Sequence, residues 1–76
     1  MPQKAQGIGS QIARARLAVG LTQRELGLAV GQASRTVQAW ESDSRNPRLP
    51  ALERVALVTG RPVSWFFERE PDEVAA

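Results

Sequence analysis

Residues 21–40 read "LTQRELGLAVGQASRTVQAW" and hold the local signals of two successive short helices. Thr22 is followed three residues later by Glu25, which is the spacing of a capping box that begins a helix. Gly31 ends this helix and permits the positive φ of a sharp turn. A second amphipathic segment follows over about residues 33–42. The pattern predicts two short helices joined by a tight turn, which is a helix-turn-helix unit.

Apolar residues at helical spacing predict which faces of these two helices meet. The residues expected on the apolar faces are Leu26, Ala29, Val30, Val37 and Trp40. Gly27 lies inside the first helix of the pair, where glycine costs up to about 1 kcal/mol relative to alanine. We interpret this glycine as the point where the second helix crosses too closely for a side chain.

The rest of the chain predicts three more short helices and no strand. The first helix has the apolar stripe Ile8, Ile12, Ala15 and Val19, and ends at Gly20. The fourth opens at Pro50 and carries Leu52, Val55 and Ala56. The fifth is "PVSWFFE" at 62–68, with Trp65 and one or both of Phe66 and Phe67 facing the core.

These elements predict an all-α fold, a compact five-helix domain over residues 8–67. Residues 1–7 hold proline, glycine and glutamine without periodicity, and we expect a flexible N-terminal arm there. Residues 68–76 are acidic and are expected to form a C-terminal tail or the start of a linker. A chain of 76 residues allows one domain.

Composition excludes several classes of function. Cysteine and histidine are both absent, so disulfides, thiolate chemistry and the commonest metal ligands are excluded. Without a phosphate loop or clustered carboxylates, we expect no enzyme, no cofactor and no metal site. No apolar run approaches the roughly 20 residues of a membrane span, and no signal peptide is evident, so we expect a cytoplasmic protein without a membrane partner.

Charge is unevenly distributed along the chain. Residues 1–61 hold nine Lys/Arg against four Asp/Glu, whereas residues 62–76 hold one against four. A basic body favours a polyanionic partner such as nucleic acid. The alternative is an ordinary solvated surface rich in arginine, and Arg48 and Arg54 are interpreted in that way.

Five segments together resemble the Cro/repressor-like (XRE-type) helix-turn-helix family. They are "GLTQREL" at 20–26, "VG" at 30–31, "RTVQAWE" at 35–41, "NP" at 46–47 and "GRPVSWFF" at 60–67. The resemblance implies a lambda-repressor-like DNA-binding domain. It also implies a transcriptional regulator, expected to be a repressor, that binds double-stranded DNA as a homodimer on a near-palindromic operator through helix three.

The resemblance also implies which residues contact DNA. Gln23 follows the cap residue Thr22 and corresponds to a phosphate contact, which suits the free N–H groups of a helix N-terminus. Arginine pairs with guanine and alanine meets a thymine methyl group, so the first turns of helix three suit base reading. The base-reading candidates are Ser34, Arg35, Gln38 and Ala39, and the later phosphate candidates are Ser42, Ser44 and Arg45.

Arg16 and Glu41 match a pair that resembles the internal salt bridge of the family, which links helix one to the end of helix three. The alternative is two unpaired surface charges. Glu41 shares a helix face with Val37, which favours the bridge. The fifth helix carries more aromatic surface than one small core needs, so Phe66 and Phe67 are candidates for a dimer contact.

The sequence departs from the family pattern at several positions. Gln32 replaces an apolar residue, and Ala33 replaces the usual Ser or Thr cap of helix three. Ser34 could serve as the cap instead, in which case it would not read a base. Asp43 stands where glycine is frequent, and aspartate tolerates left-handed backbone better than most residues. Thr59 replaces a leucine and weakens the fourth apolar stripe.

A different class of function fits the same fold. The domain could be an antitoxin or another protein-interaction module that uses the fifth helix and the acidic tail, with a toxin as its protein partner. Fold alone does not separate this alternative from DNA binding. An antitoxin of this kind could also bind DNA.

Overall fold

The computed structural model describes residues 7–68, and within them the fold is all-α, as predicted. The helices are α1 (Gly9–Ala18), α2 (Gln23–Val30), α3 (Ser34–Glu41) and α4 (Leu49–Thr59). The fifth predicted helix is a single 3₁₀ helix, Val63–Phe67, rather than an α-helix. The predicted arm, apart from Gly7, and the tail beyond Glu68 lie outside the described residues.

The helix-turn-helix forms through the local signals that the sequence carries. The Thr22 hydroxyl accepts a hydrogen bond from the Glu25 N–H at 3.0 Å, and the Glu25 carboxylate accepts one from the Thr22 N–H at 2.9 Å. This reciprocal pair is the predicted capping box. Gly31 has a φ of 78° at the end of α2, a left-handed conformation that is open to glycine without strain.

The core receives side chains from every helix. Its buried members are Ile12, Ala15, Leu26, Val30, Val37, Trp40, Leu52, Val55, Ala56 and Phe66. Val19 and Ala29 were expected in the apolar faces, but both are exposed. Val19 follows the last residue of α1, and α2 buries only the narrow face formed by Leu26, Gly27 and Val30.

Gly27 is packed against the turn that follows α2, not against α3 itself as predicted. A Cβ atom at this position would lie 2.5 Å from the backbone oxygen of Gln32. The absence of a side chain therefore lets the turn fold back onto α2. This close approach explains why a glycine is tolerated inside a helix of eight residues.

The start of α3 corrects the predicted cap. Ala33 occupies the N-cap position without a side-chain hydrogen bond, and Ser34 is the first helical residue. Ser34 is exposed and does not cap the helix. Its side chain is therefore not committed to the helix end, which removes the objection to Ser34 as a base-reading residue.

The aromatic residues of the 3₁₀ helix divide between core and surface. Phe66 is 1% exposed and fills the core, so it is not available as a dimer contact, whereas Phe67 is 63% exposed. Trp65 is half-buried rather than fully in the core, and the Arg61 guanidinium lies 4.1 Å from its ring centre. The buried Gln11 side chain donates to the Trp65 carbonyl at 3.0 Å, which ties α1 to the 3₁₀ helix.

Two further side chains differ from their sequence-based interpretation. Thr59 was expected to weaken the apolar stripe of the fourth helix, yet its side chain is buried. Its hydroxyl donates to the Val55 carbonyl at 2.7 Å, so the buried polar group has a hydrogen-bond partner. Arg54 is not merely solvated, since its Nη1 donates to the Val30 carbonyl at 3.4 Å. None of the helices within residues 7–68 is long and apolar enough to cross a lipid bilayer.

Candidate nucleic-acid interface

The outer face of α3 is open to solvent. Ser34, Arg35 and Gln38 are exposed and Ala39 is half-buried, whereas Val37 and Trp40 point into the core. The helix packs against α2 on one side and α1 on another. The structure therefore brings the four base-reading candidates together on one face of an anchored helix.

Arg16 and Glu41 form the expected ion pair, which anchors the end of α3 to α1. Arg16 Nε donates to Glu41 Oε2 at 2.7 Å and Nη2 donates to Oε1 at 3.0 Å. The two side chains are only 12% and 9% exposed. Arg16 Nη1 also donates to the Leu21 carbonyl at 2.9 Å, so the same guanidinium holds the segment before α2.

Gln23 lies at the first position of α2 and is half-buried. Its Nε2 donates to Glu41 Oε1 at 3.0 Å. Thr22 is exposed, and its hydroxyl oxygen accepts the capping bond, which does not use the hydroxyl hydrogen. The sequence does not predict the link between Gln23 and the ion pair, because Gln23 and Glu41 are 18 positions apart.

The loop after α3 is organised by the Ala39 carbonyl. The hydroxyls of Ser42 and Ser44 donate to this oxygen at 3.2 and 3.3 Å, and the Arg45 N–H donates to it at 3.2 Å. The two hydroxyls are also 3.1 Å apart. These bonds give the loop a defined path, and all three predicted phosphate candidates in it are exposed.

A small polar cleft of about 180 Å³ lies between the helix-turn-helix and the start of α4. It is lined by Gln32, Thr36, Trp40, Arg45, Asn46, Pro47, Arg48 and Ala51. Arg48, which the sequence predicts to be a solvated charge, is exposed, occupies the N-cap position of α4 and lines this cleft. The sequence did contain a signal that Arg48 lies close to Arg45. Pro50 marks the start of a helix, so Arg48 must end the short loop that carries Arg45.

This arrangement of helices is that of a DNA-binding helix-turn-helix domain, and the sequence comparison agrees. The model of the helix-turn-helix family matches residues 12–66, and the chain belongs to this family, of the Cro/repressor-like (XRE) type. The family and its lambda-repressor-like fold are those of DNA-binding transcriptional regulators, which are not enzymes.

Particular relatives are similar over most of this chain. An uncharacterised helix-turn-helix-type transcriptional regulator of Sinorhizobium medicae is 29% identical over 66 residues, which is 87% of this chain and 48% of that protein. This chain therefore spans about half the length of the curated relatives it matches.

Two solved structures resemble the fold closely. The N-terminal DNA-binding domain of SinR from Bacillus subtilis has a TM-score of 0.76 and 26% identity, covering 83% of this chain and 93% of that one. Bacillus thuringiensis PlcR, in complex with the peptide PapR7 and DNA, has a TM-score of 0.75 and 30% identity. That match covers 84% of this chain but only 22% of PlcR.

Proposed function

We propose that this domain binds double-stranded DNA in a sequence-specific way and acts as a transcriptional repressor. The observation that carries the proposal is the open face of α3, on which Ser34, Arg35 and Gln38 are exposed together. A helix of this kind fits the major groove, with the residues of its N-terminal turns near the base edges. The relative PlcR, whose solved complex contains DNA, supports this assignment.

In the proposed complex, the residues of α3 divide by role. Arg35 pairs with a guanine through O6 and N7, and the methyl group of Ala39 meets a thymine methyl. Ser34 and Gln38 reach neighbouring base edges. Because each good bidentate contact discriminates against the wrong base by about 1–3 kcal/mol, Arg35 carries the largest part of the sequence preference.

Phosphate contacts position the domain on both sides of α3. Gln23 serves one phosphate at the N-terminus of α2, beside the cap residue Thr22. Arg45 serves another on the far side, and Ser42 and Ser44 join it by turning their hydroxyl hydrogens from the Ala39 carbonyl to the phosphate. Arg48 is added because it lines the same cleft as Arg45. These contacts fix the register without reading sequence.

We further propose that two copies bind together on a near-palindromic operator. A dimer places two copies of α3 in successive major grooves, about 34 Å apart. The exposed Phe67 ring is the proposed contact between copies, since its neighbour Phe66 is buried in its own core.

The decisive experiment is selection from a random-sequence pool of DNA duplexes at low salt, with the unmodified chain as bait. An enriched motif with two-fold symmetry supports sequence-specific binding by a dimer. An enriched half-site without symmetry supports sequence-specific binding by a single domain and contradicts binding as a dimer. Failure to enrich any motif contradicts the proposal.

A protein-interaction role is the second candidate, and an apolar cleft favours it. The cleft has a volume of about 420 Å³ and is lined by Gly7, Ile8, Asn46, Pro47, Leu49, Leu52 and Phe67. Leu49 and Phe67 are both largely exposed. An antitoxin would use such a surface for its toxin, and copurification of a stoichiometric partner that is lost on Phe67→Ser substitution would support this role.

A further inference from the structure

Gln23 and Glu41 are joined by a hydrogen bond whose direction is dictated by chemistry. The Nε2 atom of Gln23 lies 3.0 Å from Oε1 of Glu41. An ionised carboxylate accepts hydrogen bonds and cannot donate them, so the amide must turn its NH₂ group, not its oxygen, toward Glu41. The orientation of the Gln23 amide is therefore set before any DNA is present.

The second N–H of Gln23 remains for another acceptor. A primary amide has two N–H donors, and Glu41 is the hydrogen-bond partner of this amide among residues 7–68. Gln23 is half-buried at the first position of α2, where free backbone N–H groups attract an anion. The reversed amide would turn its oxygen toward a phosphate oxygen, and two acceptors repel each other.

The charge of Glu41 would itself repel a phosphate if it were uncompensated. Arg16 binds this carboxylate through two N–H groups, at 2.7 and 3.0 Å. The two nitrogens make a charge-assisted bidentate pair in a site that is largely shielded from water. Arg16 thus lets Glu41 hold the amide without adding net negative charge beside the DNA.

We propose that Glu41, neutralised by Arg16, is a positioning residue for DNA binding. It holds the Gln23 amide so that the second N–H is presented to a backbone phosphate. This inference rests on the proposed DNA-binding function and gives a binding role to an ion pair that the family resemblance treats as structural. Because the contact is to phosphate, its loss weakens binding to every sequence by the same factor.

A spectroscopic test uses the unmodified chain, labelled with ¹⁵N, and a mixed-sequence duplex of about two helical turns at low salt. In the free protein, one Nε2 proton of Gln23 is expected to resonate downfield of the exposed glutamine side chains, because it binds a carboxylate. On titration with the duplex, the second proton is expected to move downfield. Two unshifted protons in the free protein, or a second proton that the duplex does not move, would overturn the proposal.

A double-mutant cycle measures the coupling. Gln23→Met is introduced into the unmodified chain and into an Arg16→Met/Glu41→Leu background, since a buried ion pair replaced by apolar residues folds better than one left with a single partner. We expect a loss of DNA affinity of roughly tenfold in the unmodified chain. In the replaced background the loss should be less than about threefold, because residues in contact are non-additive.

Arg35→Ala is the matched control, because Arg35 is exposed on the outer face of α3 and is not one of the groups that bind Arg16 or Glu41 within residues 7–68. Its loss of affinity should be the same factor in both backgrounds. Equal losses for Gln23→Met in the two backgrounds would overturn the coupling and leave DNA binding intact. An unmodified chain that binds no duplex overturns the proposed function and this inference with it. If the Arg16→Met/Glu41→Leu chain does not fold, the shifts of the two Gln23 Nε2 protons decide whether the proposal holds.

Discussion

Asp43 lies in the loop after α3, yet its carboxylate caps the start of α1. Its Oδ1 accepts a hydrogen bond from the Gly9 N–H at 3.0 Å, although the residues are 34 positions apart. Ile8 occupies the N-cap position of α1, and an apolar side chain has no acceptor to offer there. Asp43 supplies that acceptor and also places negative charge at the positive end of the helix. The sequence indicates only that aspartate at this position tolerates left-handed backbone, and it gives no sign of the contact with Gly9.

Substitutions at Asp43 should separate the cap from the backbone conformation, because its φ is 64°. Asp43→Ala loses the acceptor and exchanges aspartate for a residue that tolerates left-handed backbone less well, so we expect a loss of about 2 kcal/mol in unfolding free energy. Asp43→Asn keeps an oxygen acceptor and should cost less than about 1 kcal/mol. Asp43→Gly should fall between them. Urea unfolding measures all three, and equal stability of the Ala and Asn variants would contradict the capping role.

Gly27→Ala should destabilise the domain, although alanine is the better helix former. The added methyl group would meet the Gln32 carbonyl at 2.5 Å, so the turn must move, and overpacking of this kind costs about 1–3 kcal/mol. Leu28→Ala is the control on the same helix, since Leu28 is 72% exposed and its truncation should change stability by less than about 0.5 kcal/mol. Thermal unfolding compares the two. A Gly27→Ala variant as stable as the unmodified chain would show that the turn adapts freely.

The elements of this fold could be predicted because their signals are local. The capping box at Thr22 and Glu25 and the glycine turn at Gly31 each depend on neighbours in the sequence, and each forms as expected. The division between Phe66 and Phe67 could not be predicted, because both lie in one apolar run. Which ring is buried follows from how the 3₁₀ helix Val63–Phe67 packs against α1 and α4.

Contacts between distant residues explain the remaining differences. The bonds from Asp43 to Gly9 and from Gln23 to Glu41 connect segments whose separation in space follows only from the packed helices. A polar residue in a short stretch of sequence carries no sign of which distant group it meets. The resemblance to a family supplied the pairing of Arg16 with Glu41, which charge and periodicity alone left open.

Phe66 and Phe67 should respond oppositely to truncation. Phe66→Ala empties a fully buried site and should cost about 3–5 kcal/mol of unfolding free energy. Phe67→Ser leaves the core intact and should change the stability of the monomer by less than about 0.5 kcal/mol. If Phe67 joins two copies, the Phe67→Ser substitution should also shift the sedimentation profile from dimer toward monomer. An unchanged sedimentation profile for Phe67→Ser, in a chain that does dimerise, would assign the dimer contact to another surface.

Arg35 and Arg48 should differ in how their loss affects DNA binding. Arg35→Ala should weaken binding to the selected motif by about 1–3 kcal/mol and relax the preference at one base position, because it removes a base contact. Arg48→Ala should weaken binding to all duplexes alike and lower the slope of log K against log salt by about 0.9, because one phosphate contact is lost. Fluorescence anisotropy at several salt concentrations, with the selected motif and a scrambled duplex, measures both effects.

Arg24→Ala serves as a control on the exposed side of α2, where we propose no DNA contact. If Arg35→Ala lowers affinity for both duplexes equally, Arg35 is a phosphate contact, and base reading must come from Ser34, Gln38 and Ala39.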